Sequence, residues 1–87
     1  MKREITPELV RVTKSWLRDD GLSFFKNVKE KHGEINSVWL EGSIPHPVHF
    51  REGMQVRNFM RSTNLCEGWD AHDYDDNWVE LIERCIE

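Results

Sequence analysis

The last part of the chain carries the apolar pattern of an amphipathic helix, and such a helix has to bury its apolar face against other elements. Apolar side chains recur there at i, i+3, i+4, i+7 and i+8, which places them along one face of a helix. The residues with this spacing are Trp78, Leu81, Ile82, Cys85 and Ile86. We predict that this helix begins near Asp73, because aspartate is a favoured N-cap and because Asp75 and Asp76 then lie where the helix dipole favours negative charge.

The first third of the chain predicts two further helices. Thr6 suits the N-cap of the first helix, and Pro7 suits its first helical position. We predict that this helix ends at Gly21, since glycine inside a helix costs about 1 kcal/mol relative to alanine. A second helix then runs from about Ser23 to Gly33. The alternative is one helix that continues through Gly21, because the apolar residues on either side nearly keep helical phase.

The middle of the chain predicts a short pair of extended segments. Residues 35–41 have the composition of a strand. The segment 44–50 places apolar residues at alternating positions, but Pro45 and Pro47 lack the N–H group that a central strand needs. We therefore predict a strand that pairs with an edge strand or an extended arm.

A third helix is predicted to begin near Arg51 or Glu52 and to end at Thr63, where Asn64 can adopt the left-handed conformation. The expected fold class is therefore α+β and dominated by helices: two helices, a short two-stranded hairpin or arm, and two further helices. A chain of 87 residues suits a single globular domain over residues 1–87.

The composition narrows the class of protein. No apolar run approaches the roughly 20 residues of a transmembrane helix, and the N-terminal residues lack the apolar region of a secretory signal. We therefore expect no membrane association. Two cysteines, Cys66 and Cys85, are too few for a disulfide framework, so we expect both to be reduced in a cytoplasmic protein. The sequence leaves a disulfide between them open.

The distribution of charge argues against nucleic acid as the partner. Residues 1–33 carry eight Lys and Arg against five Asp and Glu, a balance of +3, and residues 34–87 carry four against eleven, a balance of −7. A protein that binds nucleic acid usually presents a concentrated basic face. Because the last helix is acidic, we expect no binding to nucleic acid.

Three histidines and one cysteine form the main candidate for metal or catalytic chemistry. His46 and His49 are separated by two residues, and His72 follows Cys66 after five intervening residues. Zinc accepts such donors, but this spacing is not a recurrent structural zinc pattern. None of the local signatures of a catalytic cysteine surrounds Cys66. We therefore expect no metal and no cofactor, and we favour a non-catalytic protein over an enzyme.

The start of the third helix is a candidate anion site. It lacks a Ser, Thr, Asp or Asn cap, and Gly53 leaves the backbone open beside Arg51 and His49. Phosphate or carboxylate would be attracted by the free N–H groups and the helix dipole. Arg57 and Arg61, four residues apart, extend the positive charge along the helix. The alternative is that neighbouring side chains cap the helix and that both arginines pair with the acidic residues that follow.

The tryptophans divide into two groups. Trp16 and Trp78 lie in apolar helical stripes, so we predict that both are in the core. Trp39 and Trp69 lie near the proline-containing arm and the acidic loop. We expect both in the core, and an exposed one would instead indicate a protein-contact surface.

These features predict a small, non-catalytic interaction or regulatory module. Its contact surface would comprise residues 44–52, the start of the third helix and the loop 69–74. The proposed binding residues are His46, His49, Arg51, Gly53, Arg57, Arg61, Trp69 and His72. We expect a protein partner and place an anionic small ligand second. The alternative is a metal-dependent or phosphate-handling enzyme that uses the histidine, cysteine and aspartate residues of the same region.

Overall fold

The computed structural model describes residues 2–33, 35 and 53–87, and this part of the protein is built from helices. Three helices follow in chain order: α1 (Pro7–His32), α2 (Gly53–Ser62) and α3 (Ala71–Ile86). Helix accounts for 76% of the described residues, and none of them lies in a strand. The protein is therefore a small helical domain, and the predicted α+β class with a β-hairpin is wrong.

The error arises where the sequence predicts a strand from a short apolar run. Ile35, the first residue of that run, lies in a turn and is completely buried. A short apolar run does not distinguish pairing in a sheet from burial by packing, and at Ile35 the cause is packing. The rest of the predicted strand and arm, residues 36–50, lies outside the described residues.

Helix α1 begins as the sequence predicts. Thr6 is its N-cap, with the side-chain oxygen accepting a hydrogen bond from the Leu9 N–H at 3.2 Å, and Pro7 occupies the first helical position. The helix ends at Gly33, which is left-handed (φ 87°) and donates its N–H to the Lys29 carbonyl at 2.7 Å. Both ends are therefore satisfied by local contacts.

Between these ends α1 is kinked. The predicted break at Gly21 is wrong, because α1 continues through Gly21 and the backbone leaves the helical conformation at Arg18 (φ 62°, ψ −175°). Gly21 has a different role: a Cβ atom at this position would lie 3.0 Å from the Cβ of Leu17. In a regular helix, Cβ atoms four residues apart are about 5–6 Å apart. The kink thus requires glycine at 21 for close approach rather than for its backbone freedom.

Helices α2 and α3 are joined by a short connection with two left-handed residues. Asn64 (φ 63°) ends the helical path after α2 as predicted, and Gly68 (φ 85°) turns the chain towards α3. The N-cap of α3 is Asp70, so the predicted cap Asp73 is wrong by one turn. Asp70 accepts from the Asp73 N–H at 2.9 Å, and the Asp73 side chain accepts from the Asp70 N–H at 3.0 Å. The two aspartates form a capping box, which the sequence pattern alone does not separate from a cap at Asp73.

Helix α3 lies against both other helices and supplies the centre of the core. Its predicted apolar stripe is confirmed, since Trp78, Leu81 and Ile82 are completely buried and Cys85 nearly so. The buried residues that the rest of the described chain adds to the same core cluster are Ile5, Leu9, Phe25, Val28, Ile35, Val56, Met60 and Cys66. Trp16 is outside this core, contrary to the prediction: it is 38% exposed and stacks on Phe59 with ring centroids 4.5 Å apart.

The N-terminal segment before α1 is tied to α3. The Arg3 backbone N–H donates to Asn77 Oδ1 at 2.9 Å, and its guanidinium donates to Asp73 Oδ2 at 2.7 Å. The same guanidinium donates to the Gly68 carbonyl at 3.2 Å. These contacts hold the chain start against the first turns of α3. None of the described helices combines the length and the apolar character that crossing a membrane requires.

Candidate functional site

An open cleft of about 400 Å³ lies at the corner where α2 passes into α3. The side chains and backbone that line it are Arg61, Asn64, Cys66, Glu67, Gly68, Trp69 and Tyr74. The connection keeps its shape through hydrogen bonds within it: the Trp69 N–H donates to the Cys66 carbonyl at 3.1 Å, and the Thr63 hydroxyl donates to the Met60 carbonyl at 2.8 Å. The cleft is thus part of a structured corner.

An arginine and two aromatic rings lie together in this cleft. The Arg61 guanidinium lies 4.7 Å from the centroid of the Tyr74 ring, a cation–π arrangement. The Trp69 and Tyr74 centroids are 5.5 Å apart. Arg61 also donates to Asn58 Oδ1 at 3.0 Å. We call Arg61, Trp69 and Tyr74 the arginine–aromatic cluster; within it Arg61 is exposed, Trp69 half-buried and Tyr74 buried.

Arg57, the other arginine of α2, is buried and pairs with an aspartate. The Arg57 side chain is only 9% exposed, and its Nε lies 3.2 Å from Asp75 Oδ1. Its guanidinium carbon is 5.7 Å from the Trp78 ring centroid. Burial lowers the pKa of Arg57, and the charge of Asp75 opposes that shift. The alternative in which arginine pairs with the following acidic residues therefore describes Arg57, whereas Arg61 stacks on an aromatic ring.

Burial shifts the pKa of two titratable side chains that line the cleft. Burial raises the pKa of the Cys66 thiol, and a hydrogen bond with Thr63 opposes this only in part. Burial likewise raises the pKa of Tyr74. Thiolate is the reactive form of cysteine, so a raised pKa makes Cys66 a poor nucleophile near neutral pH. Cys85 is also free and buried, and its burial raises its pKa to about 11.

The structure describes only some of the residues that the alternative metal site would use. Among residues 2–33, 35 and 53–87 no three His, Cys, Asp or Glu side chains converge in a way that could hold a metal ion. Cys66 is buried in the connection, while His72 is exposed on the first turn of α3. His46 and His49 lie outside the described residues, so the alternative of a metal site that includes them is not tested.

The structure brings together only some of the predicted binding residues. Arg61 and Trp69 both line the cleft, and Arg57 lies one turn away on α2 with its side chain buried. Gly53 begins α2 and is buried. The predicted anion site at this helix start remains a prediction, because two of its members are not described. The predicted binding residues outside the described part are His46, His49 and Arg51.

Tyr74 is the member of the cluster that the predicted set of binding residues lacks. It lies one turn into α3, and Arg61 lies in the last turn of α2, so the two flank the connection. The feature of the sequence that could have indicated Tyr74 is the short connection between α2 and α3. Asn64 and Gly68 reverse the chain, which brings residues on either side of the connection together.

The chain matches no protein family, no curated protein and no solved structure. Support for a function therefore comes from the geometry of the cleft alone.

Proposed function

We propose that the chain is a small, non-catalytic protein-interaction module that binds its partner through the cleft between α2 and α3. The observation that carries this proposal is the arginine–aromatic cluster: an exposed guanidinium held over Tyr74, beside the half-buried ring of Trp69. Arginine, tryptophan and tyrosine are the residue types enriched in the energetic centres of protein interfaces.

Preorganisation strengthens the argument for Arg61. Its guanidinium is held from two sides, by the Tyr74 ring and by the Asn58 side chain. An unrestrained arginine would lose about 0.5–1.5 kcal/mol of conformational entropy when a partner fixes it. Because Arg61 is already held in the free protein, binding should cost less of this entropy, and the affinity for the partner should be higher.

The Arg61 guanidinium and the Trp69 ring beside it support a specific chemistry for the partner. The fork of N–H donors on Arg61 matches a carboxylate, and the neighbouring Trp69 ring offers an apolar contact. We infer that the partner presents an extended segment with an Asp or Glu side chain next to an apolar one. An isolated small anion fits less well, because one exposed ion pair contributes only about 0–1 kcal/mol.

The experiment compares two charge reversals in the full chain. Arg61→Glu removes the cation of the cleft, whereas Arg11→Glu makes the same change on α1 at an exposed residue that does not line the cleft. A partner is first captured from native cell extract with the parent protein, then purified, and its affinity for each variant is measured by calorimetry. We expect Arg61→Glu to weaken binding at least tenfold, about 1.4 kcal/mol, and Arg11→Glu to bind like the parent.

Hydrogen exchange of the complex supplies the location. Binding should slow exchange of the backbone N–H groups between Arg61 and Trp69, and it should leave those of residues 7–17 unchanged. The proposal fails if Arg61→Glu binds as well as the parent while retaining the parent's melting temperature. It also fails if both reversals weaken binding equally, because that result indicates general electrostatic attraction rather than contact in the cleft.

A further inference from the structure

We propose that the kink in α1 is a hinge through which two copies of this chain exchange residues 2–17, giving a domain-swapped dimer. In the monomer the chain folds back at Arg18. In the dimer α1 is straight, and the segment 2–17 of each copy makes its present contacts with α3 of the other copy.

The backbone at Arg18 supplies the driving force. Its φ of 62° and ψ of −175° lie in a region that is strained for residues with a Cβ atom and is occupied almost only by glycine. The residues on both sides are helical, and no proline interrupts the chain between Glu8 and His32. Helical φ and ψ at this one residue would therefore relieve the strain and join both halves of α1.

The packing at Gly21 places a steric condition on the kinked form. In the kinked form the space for a Cβ atom at Gly21 is taken by Leu17, whose Cδ2 and Cβ would be 2.9 and 3.0 Å away. A straight helix separates these positions to about 5–6 Å. Glycine at 21 thus permits the kink, and any larger residue favours the straight form.

Geometry requires that a straight α1 recruits a second copy. Val10 and Lys29 lie in opposite halves of α1, yet both meet the end of α3: the Cys85 thiol lies 3.7 Å from the Val10 carbonyl oxygen, and the Lys29 ammonium lies 3.3 Å from the Glu83 carboxylate. In a straight α1 these two residues would be about 28 Å apart at 1.5 Å per residue. Both halves of α1 carry buried apolar side chains, Leu9 in the first and Phe25 in the second. A straight α1 therefore cannot keep both halves on one core, and the half that leaves has to bury its face elsewhere.

A second copy offers the displaced half the surface that it left. Residues 2–17 include the buried side chains of Ile5 and Leu9, and Arg3 of the same segment contacts Asp73 and Asn77. All of these form again with the other copy's α3, so the swapped dimer keeps the core contacts and loses the strain at Arg18. Short strained hinges favour this exchange, and the entropy of association opposes it.

The test uses three variants of the full chain with opposite expectations. Gly21→Ala adds a Cβ atom that only the straight form accommodates. Ser23→Ala is the matched control, because it raises helix propensity at an exposed position two residues away without a clash. Arg18→Gly removes the strain from the kinked form. Each protein is unfolded, refolded at high and at low concentration, and analysed by size-exclusion chromatography with light scattering.

We expect the parent to give some dimer when refolded at high concentration. Relative to it, Gly21→Ala should raise the dimer-to-monomer ratio at least tenfold, Arg18→Gly should lower it about tenfold, and Ser23→Ala should leave it unchanged. Two differently tagged copies of the Gly21→Ala dimer should form mixed dimers only after unfolding, because exchange of residues 2–17 requires the core to open.

Three results would each overturn the proposal. The first is a parent protein that stays monomeric after concentrated refolding. The second is a Gly21→Ala protein with no more dimer than Ser23→Ala, and the third is a dimer that exchanges tagged copies without unfolding. If Gly21→Ala does not fold, Arg18→Gly decides: a dimer fraction equal to that of the parent removes strain at Arg18 as the cause.

Discussion

The hydroxyl of Thr13 is buried without a hydrogen-bond partner in the part of the chain that the structure describes. Leaving such a group unsatisfied costs about 1–3 kcal/mol, and valine has nearly the same shape without the hydroxyl. We predict that Thr13→Val raises the free energy of unfolding by about 1 kcal/mol, measured by urea denaturation.

Thr63 provides the matched control for this prediction. Its hydroxyl donates to the Met60 carbonyl at 2.8 Å and accepts from the Leu65 N–H at 3.2 Å. Thr63→Val should therefore lower the free energy of unfolding by about 1 kcal/mol. A Thr13→Val protein that is destabilised as much as Thr63→Val would show that the Thr13 hydroxyl has a partner.

The ion pair between Arg3 and Asp73 makes stability depend on acid pH. The Asp73 side chain is 3% exposed. The hydrogen bond from Arg3, and after it that from the Asp70 backbone, lowers its pKa below the ordinary 3.8. A carboxyl whose pKa is lower in the folded state stabilises the protein above its ordinary pKa, and this stabilisation is lost as pH falls through the folded-state pKa.

We predict that Arg3→Met raises the pKa of Asp73, measured by carboxyl NMR titration. The stability advantage of the parent over Arg3→Met should shrink as the pH falls below about 4. Arg11→Met is the control, because Arg11 pairs only loosely with Glu8, at 3.8 Å, and both side chains are exposed. An Asp73 pKa that is the same in the parent and in Arg3→Met contradicts the assignment.

Residue roles that depend on near neighbours can be predicted from this sequence, and those that depend on distant partners cannot. Thr6 as a cap and Asn64 as a left-handed stop follow from their own chemistry and the next few residues. The contact of Arg3 with Asp73 spans 70 positions, and no local pattern indicates it. The cleft is an intermediate case: Arg61 and Trp69 are predicted binding residues, but the pairing with Tyr74 requires the turn.

At the scale of helices, the start of α3 depends on its capping box. Asp70 is exposed, so its side chain contributes mainly through the hydrogen bond from the Asp73 N–H. We predict that Asp70→Ala lowers the free energy of unfolding by about 1 kcal/mol and that Asp70→Ser, which can still cap, stays within a few tenths of the parent. Urea denaturation followed by circular dichroism measures both.

His72→Ala is a control at another exposed position in the first turn of α3, and it should leave stability nearly unchanged. If Asp70→Ala is as stable as His72→Ala, Asp70 does not hold the start of α3. A serine variant as unstable as the alanine variant would instead assign the effect to the charge of Asp70 at the helix dipole.

Helix periodicity predicts where most of the helices lie but not where α1 bends. The stripe of α3 and the extent of α2 follow from apolar spacing, because both helices bury one continuous face. In α1 helix propensity assigns the break to Gly21, since glycine has a lower helix propensity than every residue except proline. The structure places the strain on Arg18 and the close contact on Gly21. Tertiary packing of both halves of α1 decides the position of the kink, and local helix propensity does not predict it.

At the scale of the whole molecule, the fold depends on α3 as the element shared by α1, α2 and the N-terminal segment. The amino-acid sequence predicts that α3 has a buried face but not which elements cover it. Ile35 illustrates this limit. It follows α1 and is completely buried, although none of the described residues lies in a strand. The fold class is therefore the feature that is hardest to predict from the sequence, because it depends on which helix faces pack together.

Ile5 tests whether the N-terminal segment is part of this fold or an appendage to it. Ile5 is 3% exposed and belongs to the core cluster, and its neighbour Arg3 binds α3 directly. Truncation of a buried isoleucine to alanine costs about 2–5 kcal/mol, against a total stability of about 5–15 kcal/mol for a small domain. We predict that Ile5→Ala loses a large fraction of its stability in urea denaturation, whereas Glu4→Ala, at an exposed position, stays within about 0.5 kcal/mol of the parent. Equal stability of the two variants would mean that α3 and its helical partners form a complete core without the segment, and the contacts of Arg3 would then be surface contacts of little energetic consequence.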